Sequence, residues 1–308
     1  MGLWHSQNVL TLFFLVLGLI IGSFLNVCIT RIPEELSIVT PGSRCPRCKT
    51  PIRPFDNIPV LSWLLLRWKC RDCGLPISPM YPAVELLTGL VFVACYAEFG
   101  MSAELFKWLF FAGLVIVLTV TDLQVRTLPD AVNWPGFGMG LVFSAAVPPQ
   151  DGTALWVLQM FVHRSVPEMA VGLLDGLLGA AFGSLLLWGT GRAYKALRGH
   201  EGMGLGDVKM MAMVGTFLGF RGTFLTILVG TFLGSVVGIG IVLTLYVAGW
   251  GRELAKRASR RGLGSIQSLR CYLASQYQLP LGTFLGIAAL LVVFLSRHPL
   301  FYRVPGAH

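Results

Sequence analysis

Two aspartates sit where an apolar run ends or begins. Asp122 closes one run in "LTVTDLQVRTLPD", and Asp207 opens another in "GMGLGDVK". An ionised aspartate at the centre of a membrane helix costs about 2.5–3.5 kcal/mol, and placement at a helix end lowers that cost. Two carboxylates brought close together do not readily both ionise. They share a proton, so one is a base and the other an acid. The base can take a proton from water as it attacks a peptide carbonyl, and the acid can protonate the amide nitrogen as the bond breaks. Gly204 and Gly206 precede Asp207 and leave room for a second backbone to approach its carboxylate. Asp130 follows Pro129 and reads as a helix cap. Taken singly, each aspartate also reads as a hydrated helix-terminal residue, with Asp207 favoured by the helix dipole. No Ser-His-Asp set competes. The histidines are scattered over loops and termini, and only His200 stands near Asp207, as a solvated loop residue.

A second constellation is "CPRC" at 45–48 and "CRDC" at 70–73. Cys45, Cys48, Cys70 and Cys73 form two C-x2-C pairs, a spacing that places four thiolates around a tetrahedral Zn2+. With no added His or Glu, the site reads as structural. The segment around it is short, rich in Pro and Arg, and without helical period, so metal supplies the folding energy that a core does not. Cys28, Cys95 and Cys271 are isolated and read as packing residues.

These residues need positioning elements, and the composition says which. The chain is 55% hydrophobic and 13% charged, with a mean hydropathy of +0.71. A soluble domain carries about 25% charged residues. Eight apolar runs approach the length that crosses a bilayer: 9–29, 81–99, 105–122, 131–147, 172–191, 207–220, 222–249 and 280–296. The expected fold is therefore an all-α polytopic membrane protein of about eight transmembrane helices, with a small zinc-binding module between the first and second. The expected division is a first transmembrane helix at 1–29, the tetracysteine module at 30–80 and a seven-helix membrane domain at 81–308. Eight spans leave 19 of the 24 Lys and Arg on one side. That asymmetry makes the module cytoplasmic and puts both termini outside the cytoplasm. The net charge of +9 then calls for no nucleic-acid partner. The basic segment 252–270 reads as a juxtamembrane loop facing an anionic leaflet. The outside loop 148–171 has turn residues at both ends and reads as a short interfacial helix.

Five stretches in order, "GSFLNVCITRIP" (22–33), the two cysteine pairs, "PISPMYPAVELLTG" (76–89), "TDLQVRTLPD" (121–130) and "GMGLGDVK" (202–209), resemble the bacterial prepilin peptidases. These are type IV leader peptidases, GxGD-type intramembrane aspartic proteases. "LPLGTFLGIAAL" (279–290) resembles the family's last helix. The resemblance implies an enzyme of the bacterial inner membrane that removes a basic leader from type IV prepilins or pseudopilins, cutting after a glycine at the cytoplasmic face. By motif position Asp122 and Asp207 would be catalytic. Asp130, Gly204, Gly206 and Lys209 would support them, Lys209 at the polar edge of the site. Glu85 matches a family acid, and reads equally as a buried acid paired with a cation. Many members also methylate the new amino terminus with S-adenosylmethionine. There the chain departs from the pattern: "LRWKC" carries Trp68 before Lys69, where many relatives have glycine. An indole in that place would fill a cofactor-sized space, so proteolysis is expected and methyl transfer is left open. Two other classes stay open at this level: a proton-coupled transporter using the intramembrane carboxylates, and a non-catalytic assembly scaffold docking through the metal module.

Overall fold

The computed structural model of the chain describes residues 2–149, 151–161, 166–199, 204–247 and 280–295. Its helices run α1 Gly2–Arg31, α2 Leu61–Leu65, α3 Met80–Phe99, α4 Ala103–Val125, α5 Asp130–Ala146, α6 Thr153–Phe161, α7 Glu168–Arg198, α8 Leu205–Val247 and α9 Leu281–Leu295. Among the described residues there is no strand, only two isolated bridges, Arg44 with Pro51 and Lys69 with Pro76. The helices α1, α3, α4, α7 and α8 are long and apolar enough to cross a membrane, and α9 is a shorter apolar helix. The chain is an all-helical, multi-pass membrane protein.

The eight expected runs each fall on a helix. The sixth and seventh are the two parts of α8, whose 43 residues are interrupted at Gly219 (φ +71°). Only glycine takes that backbone angle without strain. The break uncovers backbone donors, and Asp151 meets one of them: its Oδ2 accepts from the Arg221 N–H at 3.1 Å. Asp175 of α7 does the same for α6, accepting from the Ala154 N–H at 2.6 Å. The short helix expected within 148–171 is thus α6, tied to α7.

Glycines set how closely the helices meet. A Cβ placed on Gly179 of α7 would stand 2.5 Å from the Gly215 carbonyl oxygen of α8. Backbone touches backbone there, as small residues allow between membrane helices. Against α8 also pack α9 and α5, while α1 pairs with α3. Met210, Met211 and Met213 of α8, Phe111 and Val115 of α4, and Leu285 and Ala289 of α9 are wholly or almost wholly buried in one core. That core lies directly behind the residues considered next. The first helix ends at Arg31, and α3 begins at Met80. The basic segment 252–270, His200, Cys271 and residues 296–308 lie outside the described residues.

Candidate active site and metal centre

Asp122 occupies the last turn of α4, and Asp207 the first turn of α8. Asp207 thus has the end of the helix dipole that favours a negative charge. The two carboxylates converge on the start of α9. A Cβ placed on Gly282 would stand 2.9 Å from Asp122 Oδ2 and 3.0 Å from Asp207 Oδ1, so those oxygens lie within about 6 Å of each other. Thr283 holds the first carboxylate. Its backbone N–H donates to Asp122 Oδ2 at 2.6 Å and its hydroxyl lies 3.0 Å from the same oxygen. Asp122 is buried and Asp207 half-buried. The pair is therefore anchored from inside and open on one side.

Gly282 and Thr283 escape a reading of charges and motifs. Neither carries a charge, and Thr283 meets Asp122 across 161 residues of sequence. The one available signal was the "GT" at the head of the last apolar run, beside the family-like stretch.

The two glycines before Asp207 differ. Gly204 is exposed, and a Cβ there would stand 3.7 Å from Asp207 Oδ2, over the carboxylate itself. Gly206 is not open to an incoming backbone. A Cβ there would meet the Leu128 Cβ at 3.0 Å, so its missing side chain makes room for the loop before α5. Lys209 reaches across to Asp130, with Nζ at 2.8 and 2.7 Å from the two carboxylate oxygens. This pair ties the first turn of α5 to the first turn of α8, at the exposed rim beside Asp207. Lys209 thus binds a carboxylate of the chain itself. Glu85 is buried near the start of α3, and its Oε2 accepts from the Val60 N–H at 2.7 Å. Its recorded partners are this donor and Ser23, not the Lys or Arg that the sequence left open.

The four cysteines come together. The Sγ atoms of Cys45, Cys48, Cys70 and Cys73 lie within 4.8 Å of one another, with Cys45–Cys73 at 3.9 Å and Cys48–Cys70 at 4.0 Å. A tetrahedral zinc with Zn–S near 2.3 Å sets sulfurs about 3.8 Å apart, so the donor set fits. The two halves are built alike. The Cys45 N–H bonds the Thr50 carbonyl at 3.0 Å, and the Cys70 N–H bonds the Leu75 carbonyl at 2.9 Å. A left-handed residue, Lys49 or Gly74, turns each loop. Hydrogen bonds from the Thr50 side chain and backbone lower the pKa of the Cys48 thiol, the direction that favours a thiolate ligand. Arg71 grips Asp56 with two bonds of 2.9 and 2.6 Å, fastening the second half to the turn at Pro54–Asn57.

Between this module and the ends of α1 and α3 is a cavity of about 230 Å³. Ser23, Asn26, Trp63, Arg71, Tyr81 and Glu85 contribute to its lining. Trp68 does not. Its indole is 57% exposed and lies against Trp63, ring centres 5.8 Å apart. Trp68 thus does not fill this cavity. Arg67 and Trp68 both have positive φ, +49° and +65°, and this turns the indole away from the cavity. A glycine would take the same backbone without strain.

Comparison with known proteins fits this arrangement. The family model "Bacterial Peptidase A24 N-terminal domain" matches residues 16–99, and "Type IV leader peptidase family" matches residues 109–239. A prepilin leader peptidase/N-methyltransferase of Myxococcus xanthus is 40% identical over 237 residues, 77% of this chain and 64% of that relative. Proteins with the same description from Aeromonas hydrophila and Bacillus subtilis are 35% and 36% identical, over 79% and 82% of their lengths and 73% and 74% of this chain. No solved structure matches it. With both family models placed in order along the helices that carry the carboxylate pair and the tetracysteine module, the chain belongs to the type IV leader peptidase family.

Proposed function

We propose that the protein is an intramembrane aspartic endopeptidase. It removes the basic leader from type IV prepilins or pseudopilins, cutting after a glycine at the cytoplasmic membrane face. The observation that carries this reading is the convergence of Asp122 and Asp207, from two different helices, on Gly282. One carboxylate takes a proton from water, whose oxygen attacks the glycine carbonyl carbon. The other gives its proton to the amide nitrogen as the C–N bond breaks. Thr283 fixes the orientation of Asp122, and Gly204 leaves the approach to Asp207 clear. The buried core behind the pair keeps it from moving apart. A transporter or a scaffold gives no reason for this arrangement. The test is incubation of purified, reconstituted protein with a prepilin-like substrate. A product shortened by the leader supports the reading, and an untouched substrate in the presence of folded protein overturns it.

In this reading residues 1–29, 30–80 and 81–308 are first span, metal module and catalytic membrane domain. The ion is Zn2+, and it is structural, because all four positions are taken by thiolates. The protein lies in the bacterial inner membrane with its module in the cytoplasm and both termini on the other side. The positive-inside distribution of Lys and Arg supports that orientation.

A second activity follows from the cavity. S-adenosylmethionine would supply an electrophilic methyl group for the new amino terminus. Glu85 and the polar side chains Ser23, Asn26 and Tyr81 are the residues that would hold the cationic donor or the amine. Because Trp68 leaves the cavity clear, methyl transfer is retained in this reading. Methyl incorporation into the cleaved product by wild type supports it. Incorporation only after Trp68→Gly would show instead that the indole blocks the reaction.

Two substitutions test the geometry. Gly282→Ala puts a methyl group against both carboxylates, and is expected to lower kcat by about 10²-fold, the scale on which small misplacements act. Single-turnover cleavage measures this, and an unchanged rate would contradict the placement. Lys209→Met removes an exposed ion pair. Such pairs contribute about 0–1 kcal/mol, so thermal stability should barely change while cleavage falls several-fold through a displaced Asp207. A loss of folding instead would mean that the pair is structural.

A further inference from the structure

The segment 60–69 carries exposed apolar side chains, and the ring contact of Trp68 with Trp63 is made within the segment itself. Leu61, Leu64 and Leu65 of α2 recur at the spacing of one helix face, and they are 50%, 54% and 72% exposed. Trp68, three residues beyond the end of α2, is 57% exposed. The opposite side is turned inward: Ser62 is buried, and Trp63 lines the cavity.

The position of this face relative to α3 is fixed by hydrogen bonds at both ends. At the front, the Val60 N–H is held by Glu85, which belongs to the second turn of the membrane helix α3. At the back, the Trp68 carbonyl accepts from the Ile77 N–H at 2.7 Å, three residues before α3 begins. The Trp63 ring N–H also bonds the Ile77 carbonyl, at 3.2 Å. Residues 60–68 are therefore pinned beside the first turns of α3, a helix long and apolar enough to cross a membrane. Three residues in this segment, Val60, Arg67 and Trp68, have positive φ. For β-branched and bulky side chains this is a strained choice, and strain of this kind marks a functional constraint. Its visible result is an indole facing outward.

The flanking charges say what covers the face. Arg67 and Lys69 are exposed on either side of Trp68. An indole between basic residues suits the headgroup region, and the cytoplasmic leaflet is the anionic one. The substrate proposed above has a basic leader, which Arg67 and Lys69 would repel. We propose that Leu61, Leu64, Leu65 and Trp68 form an interfacial anchor inserted in the anionic leaflet beside α3, with Arg67 and Lys69 on the lipid headgroups. This anchor holds the metal module flat against the membrane, so that the cavity opens next to the face at which leaders are cut. The choice of the anionic leaflet and the last clause rest on the proposed function; the insertion of this face in lipid does not.

The test uses the full chain, reconstituted in vesicles of phosphatidylcholine with and without phosphatidylglycerol. Tryptophan emission is compared for wild type and Trp68→Phe, and the difference reports Trp68. The expected difference signal is blue-shifted, quenched by lipids brominated on the acyl chains and protected from aqueous iodide. Quenching by brominated lipid should be stronger with phosphatidylglycerol present. A difference signal quenched by iodide and untouched by brominated lipid overturns the anchor. So does protection that arises only when a prepilin-like substrate is added, which would mark a protein-docking face. Equal quenching in both lipid mixtures overturns the role given to Arg67 and Lys69. Zinc content confirms the fold of the module. Should Trp68→Phe lose zinc, Leu65→Trp gives the same reading from the emission it adds. None of these outcomes depends on cleavage, so failure of the anchor and failure of the peptidase reading are separable.

Discussion

Asp207→Asn and Asp122→Asn are each expected to lower kcat for leader cleavage by about 10²–10⁴-fold, the range general acid–base groups supply, with little change in KM. Asparagine has nearly the same shape as aspartate. At position 122 it can still accept from Thr283, whose two donors lie 2.6 and 3.0 Å from Oδ2. The fold is therefore not at stake, and the lost function is proton transfer. Because the pair acts as a unit, the double variant should be no slower than the worse single one. Wild-type activity should fall on both sides of a pH optimum, since only the singly protonated pair has both a base and an acid. Additive losses in the double variant, or a flat pH profile, would contradict the shared-proton mechanism.

Removing the metal has the second largest expected effect. The module between α1 and α3 is short and has little apolar core: Cys45 is its main buried hydrophobic residue. Structural zinc supplies about 10–16 kcal/mol in small modules of this kind. Chelation, or Cys45→Ser, should unfold residues 32–79 and leave the membrane helices intact. Hydrogen exchange would show this as lost protection confined to the module. The cavity should go with it, because the module forms one of its walls, so methyl incorporation should be lost first. Protection unchanged after complete loss of metal would mean that Arg71–Asp56 and the loop hydrogen bonds hold the module without zinc.

The parts legible in the sequence were those with strong local signals. Eight apolar runs gave the helices, because length and hydropathy suffice to identify them. The break in α8 lay at Gly219, just before the end of the sixth run, where glycine allows a positive φ. The carboxylates and cysteines declared themselves by charge, thiol chemistry and spacing. What stayed hidden depends on tertiary contacts or on unusual backbone angles. Thr283 is one hydroxyl in an apolar run, and only the packing of α9 on α4 gives it Asp122. Gly206 looked like clearance for a substrate, yet Leu128 takes the space. Trp68 looked like an obstruction because its chemistry is bulky. Its direction is set by two consecutive positive φ angles that no pattern of non-glycine residues reveals.

Mass spectrometry of a prepilin-like substrate tests the central claim most directly, after incubation with wild type, Asp122→Asn and Asp207→Asn and with S-adenosylmethionine present. The expected result is a wild-type product cut after the leader glycine, heavier by one methyl group, and intact substrate with both variants. Cleavage by either variant at the wild-type rate, or intact substrate in all three samples with folding and zinc content confirmed, would contradict it.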